Sequence, residues 1–305
     1  MTVTICDVGP RDGLQNEPLT LAPEVRAQLC DRLAAAGVPR VEAVSFVHPK
    51  LVPQMSGAEE VMAAVRRDGA VLAGLVLNER GLERALAAGV DEVHHAFPLT
   101  ETFARRNQNT TVEEAVATCR RIVERCREAG MRVTVTLIVA FGCPFEGRVE
   151  PAHVLRVAER VMEAPPDELA LADTVGVAVP TQVTELVRGV LGLGAVTGCH
   201  FHNTRNTGLA KAAAALEAGA SVLDASVGGT GGCPFAPRAT GNVPTEDLVY
   251  MLHGMGVATG IDLEDLMETS RWLAGELGKE LPAMVTRAGD FPAVSGSWRD
   301  AAHRH

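Results

Sequence analysis

Two histidines separated by one residue, His200 and His202, lie near the end of a short apolar run. Side chains alternate between the two faces of a β-strand, so we expect both imidazoles on one face, with Cys199 and Phe201 on the other. A histidine pair of this kind can bind a metal ion, although two hydrogen-bonded core histidines are the commoner outcome. The pattern is therefore a candidate site that needs support from other residues.

Two further segments carry residues that could do chemistry. Near the N-terminus, GPRDGLQNEP places Arg11 and Asp12 in one loop, and GGTGGCPFAPRATGN at residues 228–242 contains Cys233 and ends at Asn242. Taken alone, each segment is typical of an ordinary turn. The glycine-rich segment has neither the G-K-S/T ending nor the G-x-G-x-x-G spacing of known phosphate-binding loops. Neither a phosphate cradle nor a dinucleotide-binding loop is therefore predicted.

The elements that must position these residues alternate along the chain. Short runs rich in β-branched and apolar residues are separated by segments with helical spacing, for example residues 23–36, 111–129 and 207–218. This alternation predicts parallel pairing, and in a domain of about 250 residues it predicts the α/β fold class as a (β/α)8 TIM barrel. A doubly wound open sheet is the alternative. The predicted strands are residues 3–8, 41–47, 71–77, 93–99, 133–141, 168–175, 196–203 and 222–229.

A short repeat supports this division. Alanine, glycine and an apolar residue follow one another at residues 36–38, 88–90, 129–131 and 218–220. Glycine takes the left-handed conformation at low cost, so each copy predicts a helix end just before a strand. Residues 1–262 are accordingly predicted to form the catalytic barrel, and residues 263–305 a short C-terminal helical extension with a polar tail.

The candidate residues should meet at one end of such a barrel. Strands one, seven and eight are neighbours in a closed ring, and active sites lie at the carboxyl ends of the strands, so Asp12, Asn242 and the two histidines should converge. A carboxylate, two imidazoles and an amide oxygen suit Mg²⁺, Mn²⁺ or Co²⁺, and leave two positions for substrate oxygens. Glu42 and Asp173, in strands two and six, need buried partners and should orient Arg11 or a metal-bound group.

Composition limits the possible partners. The net charge of −10 argues against general binding to nucleic acid or to a membrane surface, although a local basic pocket could hold an anionic coenzyme. The sequence shows no targeting segment and no apolar run long enough to span a membrane. Seven cysteines without CxxC pairs favour a reducing compartment, so a cytoplasmic protein is expected.

Two other features have structural interpretations. GCPF occurs at residues 142–145 as well as at 232–235, and the first copy has no ligand-type residue nearby, so Cys143 is predicted to be structural. His94 and His95 are adjacent on predicted strand four and must point to opposite faces. At most one of them can face the site.

Four motifs together carry a resemblance to a known family. They are GPRDGLQNE, SFVHPKLVPQM after strand two, H-x-H in strand seven, and SVGGTGGCPFAPRATGN followed by TEDLVYMLHGMGVATG. In combination they resemble the 3-hydroxy-3-methylglutaryl-CoA (HMG-CoA) lyase family, and the match spans nearly the whole barrel. The resemblance implies metal-dependent cleavage of a 3-hydroxyacyl-CoA to acetyl-CoA and a keto acid. For HMG-CoA the keto acid is acetoacetate, and the pathway is leucine degradation.

The resemblance also implies roles for particular residues. It implies Mg²⁺ or Mn²⁺ bound by Asp12, His200, His202 and Asn242. It assigns Arg11 to catalysis and substrate binding, and Cys233 to proton transfer in a loop that closes over the substrate. An acyl-CoA substrate and a homo-oligomer, most simply a dimer, are expected.

The strand-seven motif departs from the family pattern. HFHNTRNTG stands where the family has H-x-H-D-T-Y-G-Q, so Asn203 replaces an aspartate and Arg205 a tyrosine, and His48 stands where a serine is expected. Arg205 is predicted to bind a substrate carboxylate or a coenzyme phosphate. Citramalyl-CoA is therefore the alternative substrate, and a Claisen-type synthase or a non-catalytic barrel are the alternatives from other classes.

Overall fold

Eight parallel strands close into a barrel in a computed structural model, which describes residues 2–232 and 241–291. Each strand pairs with its neighbours in chain order, and the last pairs with the first. The predicted TIM barrel is confirmed, and the open-sheet alternative is wrong. The barrel strands are β1 Thr4–Asp7, β2 Arg40–Ser45, β3 Val71–Val76, β4 Glu92–Pro98, β5 Arg132–Ile138, β6 Glu168–Asp173, β7 Thr197–Phe201 and β8 Val222–Ala225.

Helices follow the strands and cover the barrel. A π-helix at Gly9–Gly13 and a 3₁₀ turn at Val227–Gly229 come directly after β1 and β8, where the candidate residues lie. A small hairpin, Gly142–Cys143 with Gly147–Arg148, follows β5. The α-helices are α1 Pro23–Ala35, α2 Ala58–Ala64, α3 Glu79–Ala88, α4 Glu101–Gln108, α5 Val112–Glu128, α6 Pro151–Met162, α7 Pro180–Leu191, α8 Gly208–Ala218, α9 Thr245–Gly254, α10 Leu263–Leu277 and α11 Met284–Ala288.

Local sequence explains where these helices begin and end. Thr111 and Glu114 form a reciprocal capping box at the start of α5, which satisfies two otherwise unpaired N–H groups. The repeated glycine is left-handed in all four copies, with φ of 87° at Gly37, 69° at Gly89, 65° at Gly130 and 110° at Gly219. The predicted helix-to-strand turns are confirmed.

The inside of the barrel contains charged groups. Arg40 Nη1 donates to Glu168 Oε2 at 2.8 Å, and Arg40 Nε lies 3.3 Å from Glu92 Oε2. Gly198 makes room for this network, because a Cβ there would lie 2.4 Å from Glu168 Oε1. The apolar core lies mainly between the strands and the helices, where Leu29, Val93 and Leu171 are among the fully buried residues.

The helix expected in the C-terminal extension is present as α10. Asp262 Oδ1 accepts hydrogen bonds from the N–H groups of Glu264 and Asp265, which begins the helix. Leu266 and Leu273 join the same core as the barrel helices. The division of the chain into 1–262 and 263–305 stays a prediction. No helix in the described ranges is both long and apolar enough to cross a membrane.

Candidate active site

Three of the predicted metal ligands lie together at the carboxyl end of the barrel. Asp12, His200 and His202 offer ligand atoms that all lie within 4.8 Å of one another. Asp12 comes from the π-helix after β1 and His200 from β7, and His202 pairs with Asn242 in an antiparallel bridge. Elements next to each other in the ring therefore bring these side chains together.

Asp12 is held as a carboxylate. Its Oδ1 accepts from Arg11 Nη1 at 2.7 Å and its Oδ2 from Asn242 Nδ2 at 2.8 Å. Burial opposes ionisation, but the charge of Arg11, then that of His200, and the hydrogen bond from Asn242 outweigh it and lower the pKa of Asp12 to about 2. A negative oxygen is thus available to a cation at neutral pH.

The two histidines have different surroundings. His200 Nδ1 lies 3.1 Å from Asp224 Oδ2, which fixes the ring and leaves Nε2 for a ligand. Burial lowers the pKa of His200, but Asp224 outweighs this effect and the pKa is raised. At His202, burial followed by the charge of His200 lowers the pKa to about 4, so this imidazole is neutral and able to donate a lone pair.

Sequence reasoning missed Asp224. It lies in β8, opposite His200 in the strand register, so the two side chains share a face. The signal was a lone carboxylate in the otherwise apolar run VLDASV. Such a residue inside a strand needs a buried partner.

Asn242 supplies the test of whether a metal fits. Its Nδ2 donates to Asp12 Oδ2 and to Thr230 O at 3.2 Å, whereas its Oδ1 is buried without a hydrogen-bond partner in the described part of the chain. An orphaned buried acceptor is costly unless a ligand satisfies it. Together with the carboxylate and the imidazoles, this oxygen fits a divalent cation.

Arg11 and Glu42 are paired as expected. Arg11 Nε donates to Glu42 Oε2 at 2.6 Å, and Nη2 lies 2.5 Å from the same oxygen. A register shift between Glu42 and Val44 marks an irregularity of β2 here, the kind of feature that re-aims side chains near active sites. The guanidinium therefore lies between Glu42 and Asp12. The catalytic and substrate-binding roles of Arg11 stay predictions.

Asp173 does not meet Arg11. In the strand register Ala172 lies beside His200 and Asp173 beside Phe201, so Asp173 is on the other face of the sheet. Its Oδ2 accepts from Lys211 Nζ at 2.5 Å, and its carboxylate also binds the N–H groups of the loop after β6. Lys211 Nζ also donates to the carbonyl of His202 at 2.8 Å. Asp173 therefore does not orient Arg11, which corrects that part of the expectation. Its orientation of a metal-bound group and its catalytic role stay predictions.

The residues that depart from the family pattern contact loops. Arg205 Nη1 donates to the carbonyls of Val175 at 3.1 Å and Gly176 at 2.9 Å. Arg205 does not line the cavity that contains Asp12 and the two histidines. Asn203 Oδ1 accepts from Gly208 N at 2.9 Å, at the start of α8. Substrate binding by Arg205 stays a prediction, and its guanidinium is already engaged.

A cavity of about 1040 Å³ lies at the three candidate metal ligands. Arg11, Asp12 and the two histidines line one part of it, and His48 and Gly232 also line it. Cys233, one residue further along, lies outside the described residues. Cys143 is buried and accepts a hydrogen bond from Thr100 Oγ1 at 3.1 Å, which fits its structural interpretation.

A closed (β/α)8 barrel with a carboxylate, two imidazoles and an amide oxygen below a large cavity defines an enzyme of the barrel-lyase class. The HMGL-like family model matches residues 2–273, and the chain belongs to this family. The resemblance noted from the motifs is confirmed.

The relatives are carbon–carbon lyases. An (R)-citramalyl-CoA lyase of Chloroflexus aurantiacus is 46% identical over 96% of this chain and 96% of its own length. A hydroxymethylglutaryl-CoA lyase of Bacillus subtilis is 39% identical over 92% of this chain and 95% of its own. Among solved structures, an HMG-CoA lyase from Acinetobacter baumannii in complex with coenzyme A and 3-methylmalate has a TM-score of 0.91 at 37% identity, covering 96% of this chain and 97% of its own. The expectation that this chain is an enzyme of this class is confirmed.

Proposed function

We propose that the protein is a divalent-metal-dependent lyase that cleaves HMG-CoA into acetyl-CoA and acetoacetate. The observation that carries this proposal is that Asp12, His200 and His202 lie together beside Arg11 in one cavity. Asn242 contacts Asp12 through Nδ2 and has an unpartnered Oδ1 within the described part of the chain. Mg²⁺ and Mn²⁺ are the proposed ions, because the four proposed ligands offer oxygen or imidazole nitrogen atoms and include no thiolate.

Bound between these ligands, the cation would lower the pKa of the substrate hydroxyl and orient it. Arg11 is fixed on two sides by Asp12 and Glu42, and it faces the cavity, where it can stabilise negative charge on an oxygen. Asp224 holds the ring of His200, and Lys211 holds the main chain at His202. In the overall reaction the hydroxyl loses its proton, the carbon–carbon bond breaks, and the enolate of acetyl-CoA takes up a proton. Cys233 is the proposed donor of that proton.

Citramalyl-CoA is the second candidate substrate. The 46% identity to a citramalyl-CoA lyase favours it, and so does the departure at Asn203 and Arg205. Its cleavage would give acetyl-CoA and pyruvate, so the two substrates share a product and differ in the keto acid. A place in leucine degradation would follow only from HMG-CoA.

One assay tests these alternatives. Purified protein is given each thioester with Mn²⁺ or after chelation, and acetyl-CoA and the keto acid are measured. Metal-dependent release of acetoacetate supports the first proposal, and release of pyruvate supports the second. A synthase would instead consume acetyl-CoA and an oxo acid, and a non-catalytic barrel would release nothing. The cytoplasmic location and the dimer stay predictions.

A further inference from the structure

His94 lies between two carboxylates inside the barrel. It comes from β4, is 6% exposed, and has Nδ1 at 3.1 Å from Glu42 Oε1. Its Nε2 lies 3.5 Å from Glu92 Oε1. Since Glu42 Oε2 binds Arg11, the two oxygens of Glu42 serve two different partners. His94 is therefore connected to Arg11 through one residue, Glu42.

Glu92 is held in place by further side chains, at the end of the series of contacts that runs from Arg11 through Glu42 and His94. Thr134 Oγ1 donates to Glu92 Oε1 at 2.6 Å, and Arg40 and Arg132 each lie 3.3 Å from Glu92 Oε2. Charges thus alternate from Arg11 through Glu42, His94 and Glu92 to Arg40, along the barrel interior. Each member has an opposite charge on both sides, which suits a low-dielectric interior.

His94 and His95 are neighbours with opposite protonation behaviour. Burial lowers the pKa of His94, but hydrogen bonds and charges from Glu42 and Glu92 outweigh burial and raise it to about 10. At His95, burial outweighs the single hydrogen bond to the carbonyl of Val76 and lowers the pKa to about 4. At neutral pH His94 therefore carries two N–H groups. The Nδ1–H group donates to Glu42 Oε1, and the Nε2–H group lies at ion-pair distance from Glu92 Oε1.

We propose that His94 is a positioning residue for Arg11, acting through Glu42. This inference rests on the proposed function, in which Arg11 faces the reacting oxygens. The terminal torsion of a glutamate is soft, so a carboxylate held only by Arg11 could rotate and turn the guanidinium with it. His94 fixes Glu42 Oε1 and leaves Oε2 in place for Arg11.

The kinetic test compares His94→Leu, which removes both donors, with His94→Gln, which keeps an uncharged donor. His94→Leu should lower kcat by about 10- to 100-fold, the usual loss when a supporting group or its geometry is disturbed, and His94→Gln should recover part of it. KM and Mn²⁺ affinity, measured by calorimetry, should stay near the parent's values. A fall in thermal stability with kcat unchanged in both variants would overturn the proposal.

A double-mutant cycle with Glu42→Gln tests the route. If His94 acts through Glu42, then adding His94→Leu to Glu42→Gln should lower kcat little further. His95→Gln is the matched control, a buried histidine on the same strand, and it should show no coupling to Glu42→Gln. Additive losses for His94 and Glu42 would contradict the proposed route.

Nitrogen NMR gives a readout that needs no turnover. Both ring nitrogens of His94 should carry protons at about pH 8, whereas His95 should carry one. The Arg11 Nε–H signal, which reports the bond to Glu42, should shift in His94→Leu and stay in place in His95→Gln. An unmoved Arg11 signal in His94→Leu overturns the positioning role. A parent protein that cleaves no acyl-CoA would overturn the proposed function instead.

Discussion

Asn242 donates its Nδ2 to Asp12 Oδ2 at 2.8 Å while its own Oδ1 is buried with no partner among the residues described. Glycine is needed beside it, because a Cβ at Gly231, with φ of 115°, would lie 2.7 Å from Asn242 Nδ2. Main chain and side chain are therefore arranged so that the amide reaches the carboxylate. The free oxygen is the feature that a metal ion would satisfy.

Asn242→Ala should weaken Mn²⁺ binding by at least about 10-fold, the lower end of losses seen when groups around a metal are removed. Calorimetric titration of metal-free protein measures this affinity directly. Asn203→Ala is the matched control, since Asn203 Oδ1 is engaged by Gly208 N. Equal metal affinity in the parent and in Asn242→Ala would remove Asn242 from the ligand set.

Asp7 is a buried acid that holds the loop carrying Arg11 and Asp12. Its Oδ1 accepts from Gly9 N at 2.8 Å and its Oδ2 from Thr245 Oγ1 at 2.6 Å. Burial, partly offset by these hydrogen bonds, raises the pKa of Asp7 from 3.8 to about 7. Since the folded state binds this proton more tightly, the stability it contributes is full below pH 3.8 and is lost as pH rises through about 7.

Asp7→Asn has no charge to bury at high pH. Between about pH 4 and pH 8 the free energy of unfolding of the variant should therefore fall less than that of the parent. Urea unfolding at both pH values measures the difference. Curves that run parallel for parent and variant would show that Asp7 does not titrate in this range.

Strand periodicity made part of the site predictable, as the histidines and Glu42 show. The eight strands, the helix ends at glycine and the convergence of Asp12 with His200 and His202 all followed from local patterns and the closure of the barrel. The face of the sheet on which Asp173 lies could not be predicted from the sequence, because it depends on the register of β6 with β7. The partners of His94 and Asp224 lie 52 and 24 residues away in the chain. The contact of Arg205 with the loop after β6 could not be predicted either, because it depends on the backbone conformation of that loop and not on residue spacing.

Lys211 and Asp173 form a buried ion pair, and both side chains are fully inaccessible. Lys211→Met should destabilise the fold by about 3–5 kcal/mol, because it leaves an uncompensated buried carboxylate. The double variant Lys211→Met with Asp173→Asn should recover much of that loss, and urea unfolding of the parent and of both variants measures it. If the double variant is no more stable than Lys211→Met, the pair is not coupled as the contact indicates.

The two GCPF cysteines should respond differently to removal. Cys233→Ala should lower kcat by about 10² to 10⁴, the usual contribution of a proton-transfer group. Cys143→Ala removes a thiol that contacts Thr100 and the N–H of Phe145, so it should mainly lower the melting temperature. Steady-state kinetics and thermal unfolding of both variants decide the matter. Similar losses of turnover at the two positions would remove the special role of Cys233.

Arg205 offers the last test, which separates direct substrate binding from support of a loop. Its guanidinium donates to the carbonyls of Val175 and Gly176, in the loop that follows β6 and begins at the cavity-lining Thr174. Through this contact, Arg205→Ala should lower kcat/KM for HMG-CoA and citramalyl-CoA by the same factor, because a displaced loop affects both thioesters. Arg205→Gln keeps a donor for the carbonyls and should recover part of the loss. A change confined to one substrate would instead mean that Arg205 reads the acyl group, and a uniform rise in KM with kcat unchanged would mean that it binds the coenzyme.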